Sequence, residues 1–419
     1  MKTTELKLLV LADSPTLHTG FARVIRNLLP LWAPSFPGGI DVWAIGYQGW
    51  PHELPCRLFP ATHEGDREWQ SDGNLERFLT MLDSGGYTHV WMMQDLFHVA
   101  RMAEALPKVC RSRKIRSLLY YPVDAPVSEF WVKAATNVDV AVAYTEYGYG
   151  EMKKHASAAH LKKHVIPHGT DLGVYHPLES SRLQARAMFA TSEGRQLIGD
   201  DDFLIAAVSA HQKRKGLAQT LQVFRALREE LPRDCGRPVL YLHMPPLNPA
   251  EGSDLKLLAL EMGLSGEVLF ADGSFSGNAS RLNESHMPLI YRAADLLLTT
   301  THGEGWGLPI TEAMACGTPV AGPRHTAVAE LLGNAQGTET DRGVLFGCNA
   351  EIVLPADNMR QRPVTDVADA AAAIAQAIDL PEQHECSLFS KRDRALEWVS
   401  RPEFRWENIA ARWLELMEV

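Results

Sequence analysis

Two doubly wound α/β domains are expected from three observations in this sequence. Short apolar runs rich in Val, Ile, Leu and Tyr recur along the chain, separated by stretches with helical spacing. Alternation of this kind argues for βαβ units and parallel sheets covered on both faces. The runs fall into two sets, divided by a polar helical stretch around Glu179–Gly199. The length, 419 residues, suits two or three domains at roughly 150 residues each.

In the first set, strands are expected near Leu8–Ala12, Val42–Ile45, His89–Met93, Ser117–Tyr121 and Val138–Tyr144. In the second they are expected near Phe203–Ser209, Val239–His243, Val268–Phe270, Leu296–Thr300 and Pro319–Gly322. The break belongs near 175–200, just after "VIPHGTDLGVYHP", which gives domains at 1–175 and 176–400. The run "DVADAAAAIAQAI" is a strong helix former, with Val367, Ile374 and Ile378 at helical spacing. The tail, 401–419, reads as an amphipathic helix: Trp406 and Trp413 are seven apart and share a face that Ile409 and Leu416 extend. Core packing is the role expected of these rings. No internal repeat or low-complexity tract is visible.

Hydrophobic residues make up 46% and charged residues 22%, the balance of a soluble globular protein. No apolar run approaches the roughly 18 residues needed to cross a bilayer. The segment "LKLLVLADSP" stops at Asp13, too soon for a signal-peptide core, and reads instead as a buried first strand. The six cysteines are scattered, without close pairs or metal-ligand spacing, so reduced thiols and a cytoplasmic location are expected. A net charge of −10 advertises no broad basic surface and weighs against nucleic acid, although a local groove can still be basic. No G-x-G-x-x-G follows the first strand and no G-K-[ST] occurs, which argues against a dinucleotide oxidoreductase and a P-loop enzyme.

The densest chemistry lies in "THGEGWGLPITEAMACGTPV", Thr301 to Val320. A strand runs into a glycine-rich turn and then a helix beginning near Pro309, a residue suited to the first turn because its missing N–H would be unpaired there. The N–H groups of Gly305, Trp306, Gly307 and Leu308, with the helix dipole behind them, suit an anion such as phosphate. Glu304 precedes this turn and Glu312 lies one turn into the helix, so both carboxylates are expected to face the ligand. An isolated glutamate pair is more often a helix start with solvated side chains; the glycine turn reverses that reading. Backbone donors beside carboxylates suit a molecule with both phosphates and hydroxyls, as in a nucleotide sugar.

The segment Tyr291–Val320, "YRAADLLLTTTHGEGWGLPITEAMACGTPV", resembles the donor-site signature of the family-four (group 1) retaining glycosyltransferases. The resemblance implies the GT-B fold: two Rossmann-like domains facing a cleft, with a C-terminal helix crossing back to the first. On that reading 1–175 binds the acceptor, 176–400 binds the nucleotide sugar, and 401–419 is the crossover helix. It implies that Glu304 contacts the transferred sugar and that Glu312 binds the nucleotide ribose. "SAHQKRKGL" resembles the family's loop whose lysine holds the donor diphosphate, implying Lys215. "VIPHGTDLGVYHP", "MPPLNPAEGSDLKLLALEMGL" and the tail resemble further family segments, so the match is strong in the C-terminal half and weaker in the N-terminal half. An arginine commonly lies about five residues before the loop lysine; Ala210 stands there instead, leaving Lys213 or Arg214 to supply the second charge.

In the N-terminal half, "LADSPTLHTGFARVIRNLL" places Gly20 in the loop after the first strand, and ligands of doubly wound sheets bind at the carboxyl ends of strands. The family carries a glycine loop here near the donor phosphates, which points to Gly20, with Asp13, His18 and Arg23 as weaker candidates. "LLYYPVDAP" ends a buried strand at Asp124. Many family members have a sugar-contacting histidine nearby; Asp124 is the nearest polar substitute, to orient an acceptor hydroxyl or touch the sugar, while a turn aspartate bonding its own backbone is the competing role. Asp95 is a similar case, and His98 and His168 read as structural.

The resemblance implies transfer of a sugar from a nucleoside diphosphate, UDP or GDP, to an acceptor hydroxyl with retention of configuration. The usual proposal is a front-face route needing no protein nucleophile, completed by domain closure. No acidic pair has metal-binding spacing, so neither a metal nor another cofactor is expected. The acceptor is a glycan, a small molecule or a modified DNA base; "DSPTLHTGFARV" and "YYPVD" look similar to phage-type glycosyltransferases, some of which act on hydroxylated bases. A sugar phosphorylase and a non-catalytic sugar-nucleotide-binding module are the remaining alternatives.

Overall fold

The computed structural model describes residues 5–47, 54–62, 71–177, 182–190, 196–232, 234–271, 286–334, 340–354 and 358–419. The polar stretch Glu179–Gly199 lies partly outside these residues, at 179–181 and 191–195. The chain forms two compact units, Met1–Gly169 with Pro402–Val419, and Thr170–Arg401.

Unit 1 holds a six-stranded parallel sheet: β1 (Leu8–Asp13), β2 (Ile40–Ile45), β3 (Arg57–Pro60), β4 (His89–Met93), β5 (Arg116–Tyr121) and β6 (Val140–Ala143). Their spatial order is β3-β2-β1-β4-β5-β6. Leu8 to Ala12 and Val90 to Met93 are all fully buried, as expected of central strands with helices on both faces. β3 is absent from the sequence expectation. It is a short edge strand with Pro60 at its end, where a missing N–H is tolerated.

The tail forms the helix Trp406–Met417, whose buried face is Trp406, Ile409, Ala410, Trp413 and Met417. Leu416 is only half-buried, and Met417 takes the inward position expected of it. Trp413 packs edge-on against Trp91 of β4 at 5.3 Å and Tyr120 of β5 at 5.0 Å between ring centroids. Arg116 Nε donates to the Leu416 carbonyl at 2.9 Å, satisfying an acceptor that the helix end leaves open. The last helix is therefore part of the first unit's core.

Unit 2 repeats the plan with β7 (Phe203–Val208), β8 (Pro238–His243), a small hairpin of β9 (Leu247–Asn248) and β10 (Ser253–Asp254), β11 (Val268–Phe270), β12 (Leu296–Leu298), β13 (Val320–Pro323) and β14 (Val344–Phe346). The large sheet is parallel, ordered β11-β8-β7-β12-β13-β14. A two-stranded antiparallel sheet, β15 (Cys348–Leu354) with β16 (Arg360–Thr365), follows it. The alanine-rich run forms the helix Val367–Asp379, capped by Asp366, whose side chain accepts from the Ala368 and Asp369 amides.

Both large sheets have the same strand order, and each is a Rossmann-like domain. The order reverses between β1 and β4 in unit 1 and between β7 and β12 in unit 2. Loops leaving the carboxyl ends of such a pair diverge, and the crevice between them is where ligands of open α/β sheets bind.

Candidate functional site

The loops after β7 and β12 carry the sequence-predicted basic residues and the first glutamate, and they are stitched together by hydrogen bonds. The Arg214 carbonyl accepts from the His302 amide at 2.7 Å and from Thr301 Oγ1 at 3.3 Å. Thr300 Oγ1 donates to the Gly216 carbonyl at 2.8 Å and lies 2.6 Å from Thr220 Oγ1. Gly216 makes this close approach possible. Its φ is +62°, and a Cβ there would sit 2.2 Å from the Thr300 carbonyl oxygen. Gly216→Ala is expected to destabilise the protein by about 1–3 kcal/mol through backbone displacement and to weaken nucleotide binding with it; thermal melts with and without UDP or GDP check both.

The stitching brings Lys215 and Glu304 together. Lys215 Nζ lies 2.5 Å from Glu304 Oε1, and Arg214 Nη1 lies 3.9 Å from Glu304 Oε2 while donating to the Gly303 carbonyl at 3.2 Å. The Lys215 and Glu304 side chains are only 13% and 14% exposed, so this pair is screened far less than a surface one. Lys213 is exposed, as is Ala210; of the two residues expected to supply the second charge, Arg214 is the one beside Glu304.

Glu304 is also held through its backbone. Its N–H donates to Thr326 Oγ1 at 3.1 Å, and its carbonyl accepts from the Ala327 amide at 3.3 Å. Thr326 begins the helix Thr326–Leu332 after β13 and has a φ of +49°. Burial lowers the pKa of His325, next to it, to about 4 and that of His302 below the usual histidine range. Neither His325 nor Thr326 is signalled by the sequence.

The second glutamate is held by a buried tyrosine. Glu312 is 3% exposed, and its Oε2 accepts from the Tyr291 hydroxyl at 2.6 Å. Glu312 sits on the helix Leu308–Ala315, all of whose residues but Pro309 are buried, and there its carboxylate meets Tyr291. The helix starts at Leu308, one residue before the expected Pro309. Gly307, with φ +102°, occupies the cap position, and no side chain caps this end. Pro309 fits the second position equally well, since no first-turn N–H has an intrahelical acceptor. Gly305 and Gly307 are half-buried, whereas Trp306 and Leu308 are buried.

The other candidates lie in unit 1, at the carboxyl end of its sheet. Gly20 is the exposed first residue of the helix Gly20–Trp32, capped by Thr19, whose Oγ1 accepts from the Ala22 amide. Thr19 also donates to Asp13 Oδ2 at 2.6 Å, and Gln94 Nε2 reaches Asp13 Oδ1 at 3.3 Å across the β1–β4 crevice. Burial raises the Asp13 pKa, and these two bonds oppose the rise. Asp95 stands at the start of the short helix after β4 without a side-chain capping bond, and Asp124 is half-buried in the loop after β5. His18 is exposed and Arg23 half-buried. His168 is buried, with Nδ1 2.7 Å from the Tyr120 hydroxyl and a pKa pushed down to about 3 by burial; burial also takes His98 to about 4. Among the described residues no group of three or more His, Cys, Asp or Glu is arranged to hold a metal ion. No helix among them is long and apolar enough to cross a membrane.

Residues 189–386 match the family described as glycosyl transferases group 1. A D-inositol 3-phosphate glycosyltransferase of Segniliparus rotundus is 30% identical over 324 residues, covering 73% of this chain and 59% of that protein. The chain spans between 48% and 59% of the first three curated relatives it matches. Among solved structures, sucrose-phosphate synthase from Thermosynechococcus elongatus superposes with a TM-score of 0.69 at 16% identity, covering 99% of this chain and 98% of that one. Anabaena HepE, solved in complex with UDP-glucose, gives 0.67 at 16% identity over 99% of both chains. The chain thus carries a group 1 glycosyltransferase domain in its second unit and has the two Rossmann-like domains of the GT-B fold.

Proposed function

We propose that this protein transfers a sugar from a UDP- or GDP-sugar to an acceptor hydroxyl with retention of anomeric configuration and without a metal ion. The observation that carries the reading is the Lys215–Glu304–Arg214 group at the β7–β12 crevice, beside a helix start that no side chain caps. Support comes also from the relatives: one bears the name of a glycosyltransferase acting on D-inositol 3-phosphate, and HepE was solved with UDP-glucose.

In this reading Lys215 and Arg214 take the donor diphosphate together with the amides of Gly305, Trp306, Gly307 and Leu308. Glu304 holds hydroxyls of the sugar, and Glu312 takes the ribose. As the bond from the anomeric carbon to the leaving phosphate lengthens, negative charge grows on that phosphate, where fixed cations and N–H dipoles contribute most. The acceptor oxygen bonds to the anomeric carbon on the same face, and its proton passes to the departing phosphate oxygen. The acceptor in this reading is a glycan or small molecule.

The test is Lys215→Ala. UDP or GDP binding is expected to weaken at least tenfold, about 1.4 kcal/mol, while uridine or guanosine binding stays within twofold. Isothermal titration of nucleotide and nucleoside against both proteins checks this. Equal losses for both would remove Lys215 from the diphosphate.

A further inference from the structure

Thr326 has a backbone that its side chain opposes. Its φ of +49° lies in the left-handed region, and a β-branched residue there is a true outlier, since its Cβ crowds the backbone. A non-glycine residue in this conformation costs on the order of 1–3 kcal/mol and persists only where its surroundings impose it. Glycine would adopt this turn without strain. The question is what the threonine supplies that glycine cannot.

Its hydroxyl supplies a contact to Glu304. The Glu304 N–H donates to Thr326 Oγ1 at 3.1 Å, and the next residue, Ala327, donates its N–H to the Glu304 carbonyl at 3.3 Å. The backbone of Glu304 is thus held on both sides of its Cα by the first turn of the helix after β13. The hydroxyl is itself fixed: His325 Nδ1 lies 3.2 Å from Thr326 Oγ1. Burial keeps His325 neutral at ordinary pH, so Nδ1 can accept the hydroxyl hydrogen while the oxygen accepts from Glu304. Thr326 is 6% exposed, which shields this relay from competing water.

We propose that Thr326 is a positioning residue whose strained backbone and hydroxyl fix the Glu304 backbone, and so the direction in which the Glu304 carboxylate meets the sugar. The inference rests on the donor-site reading of Glu304. Side chains that hold a reacting group must keep it within about 0.5 Å of the productive geometry. A residue gripped at both its N–H and its carbonyl meets that demand better than a free glycine loop. The left-handed turn is what points Oγ1 of Thr326 and the Ala327 amide at the same residue.

The test is a series at this position in the full chain: Thr326→Ser, Thr326→Ala and Thr326→Gly. Each is assayed for nucleoside diphosphate release from whichever UDP- or GDP-hexose most raises the melting temperature of the unmodified protein, with Tm measured in parallel. Serine keeps the hydroxyl and is expected to retain kcat within about threefold. Alanine and glycine are expected to lower kcat roughly tenfold with KM changed less than threefold, and glycine to keep or raise Tm because the strain is relieved. A loss of turnover without a loss of stability separates positioning from a merely structural role. Wild-type kcat in the glycine variant overturns the inference, and so does a serine variant as slow as alanine. Glu304→Gln run alongside separates the two levels: if it keeps full turnover, the donor-site reading itself fails; if it alone abolishes turnover, only the role of Thr326 fails.

Discussion

Glu304→Gln is expected to reduce sugar transfer by roughly two to three orders of magnitude, the range seen when one fixed electrostatic partner of a transition state is removed. The change keeps shape and hydrogen-bonding capacity but deletes the charge facing Lys215 at 2.5 Å and Arg214 at 3.9 Å. Its effect on stability should be smaller. The amide oxygen can still accept from Lys215, and the backbone clamp through Thr326 and Ala327 involves no carboxylate. A Tm within a few degrees of wild type, with transfer to a panel of acceptors nearly lost, is the expected pair of results. Transfer at near-normal rates would remove Glu304 from the chemistry.

Trp413→Ala is expected to produce the largest loss of stability, about 3–5 kcal/mol, the usual range for removing a large buried aromatic side chain. Trp413 is fully buried and shares ring contacts with Trp32 at 6.5 Å, Trp91 at 5.3 Å and Tyr120 at 5.0 Å. These partners come from the first helix and two central strands of unit 1, so the void would open in the middle of that core. Because the contacts belong to unit 1, its unfolding transition should move to lower urea while that of Thr170–Arg401 stays in place. Urea melts followed by fluorescence, with hydrogen exchange to separate the units, provide the measurement. A loss below about 1 kcal/mol would mean that the last helix only decorates the unit.

The strands that run through sheet centres were legible because burial on both faces demands continuous apolar runs: Leu8–Asp13, His89–Met93 and Phe203–Val208 lie where the pattern put them. The apolar edge strands β6 and β11 were legible too, but charged edge elements were not. β3 and the β15–β16 pair carry Arg57, Glu351, Arg360 and Arg362 among their residues, so no apolar run marks them. The glycine turn with Glu304 was legible because it joins a strand to a helix within a dozen residues. Glu312 was half legible: its place on the helix followed from spacing, but its partner Tyr291 lies 21 residues upstream and meets it only through packing. Thr326 was invisible for a different reason. Left-handed turns are read from glycine and asparagine, and a threonine forced into one gives no local sign.

The return of the closing helix to unit 1 sets an order on biosynthesis. Thr170–Arg401 is one continuous stretch and can complete its own core as soon as it has left the ribosome. The first 169 residues emerge earlier, yet the slot against Trp32, Trp91 and Tyr120 stays unfilled until Trp413 is made. At about 5–20 residues per second, that interval lasts on the order of ten seconds or more. Throughout it the nascent amino-terminal lobe presents uncovered indole and phenol rings, the kind of surface to which holding chaperones bind.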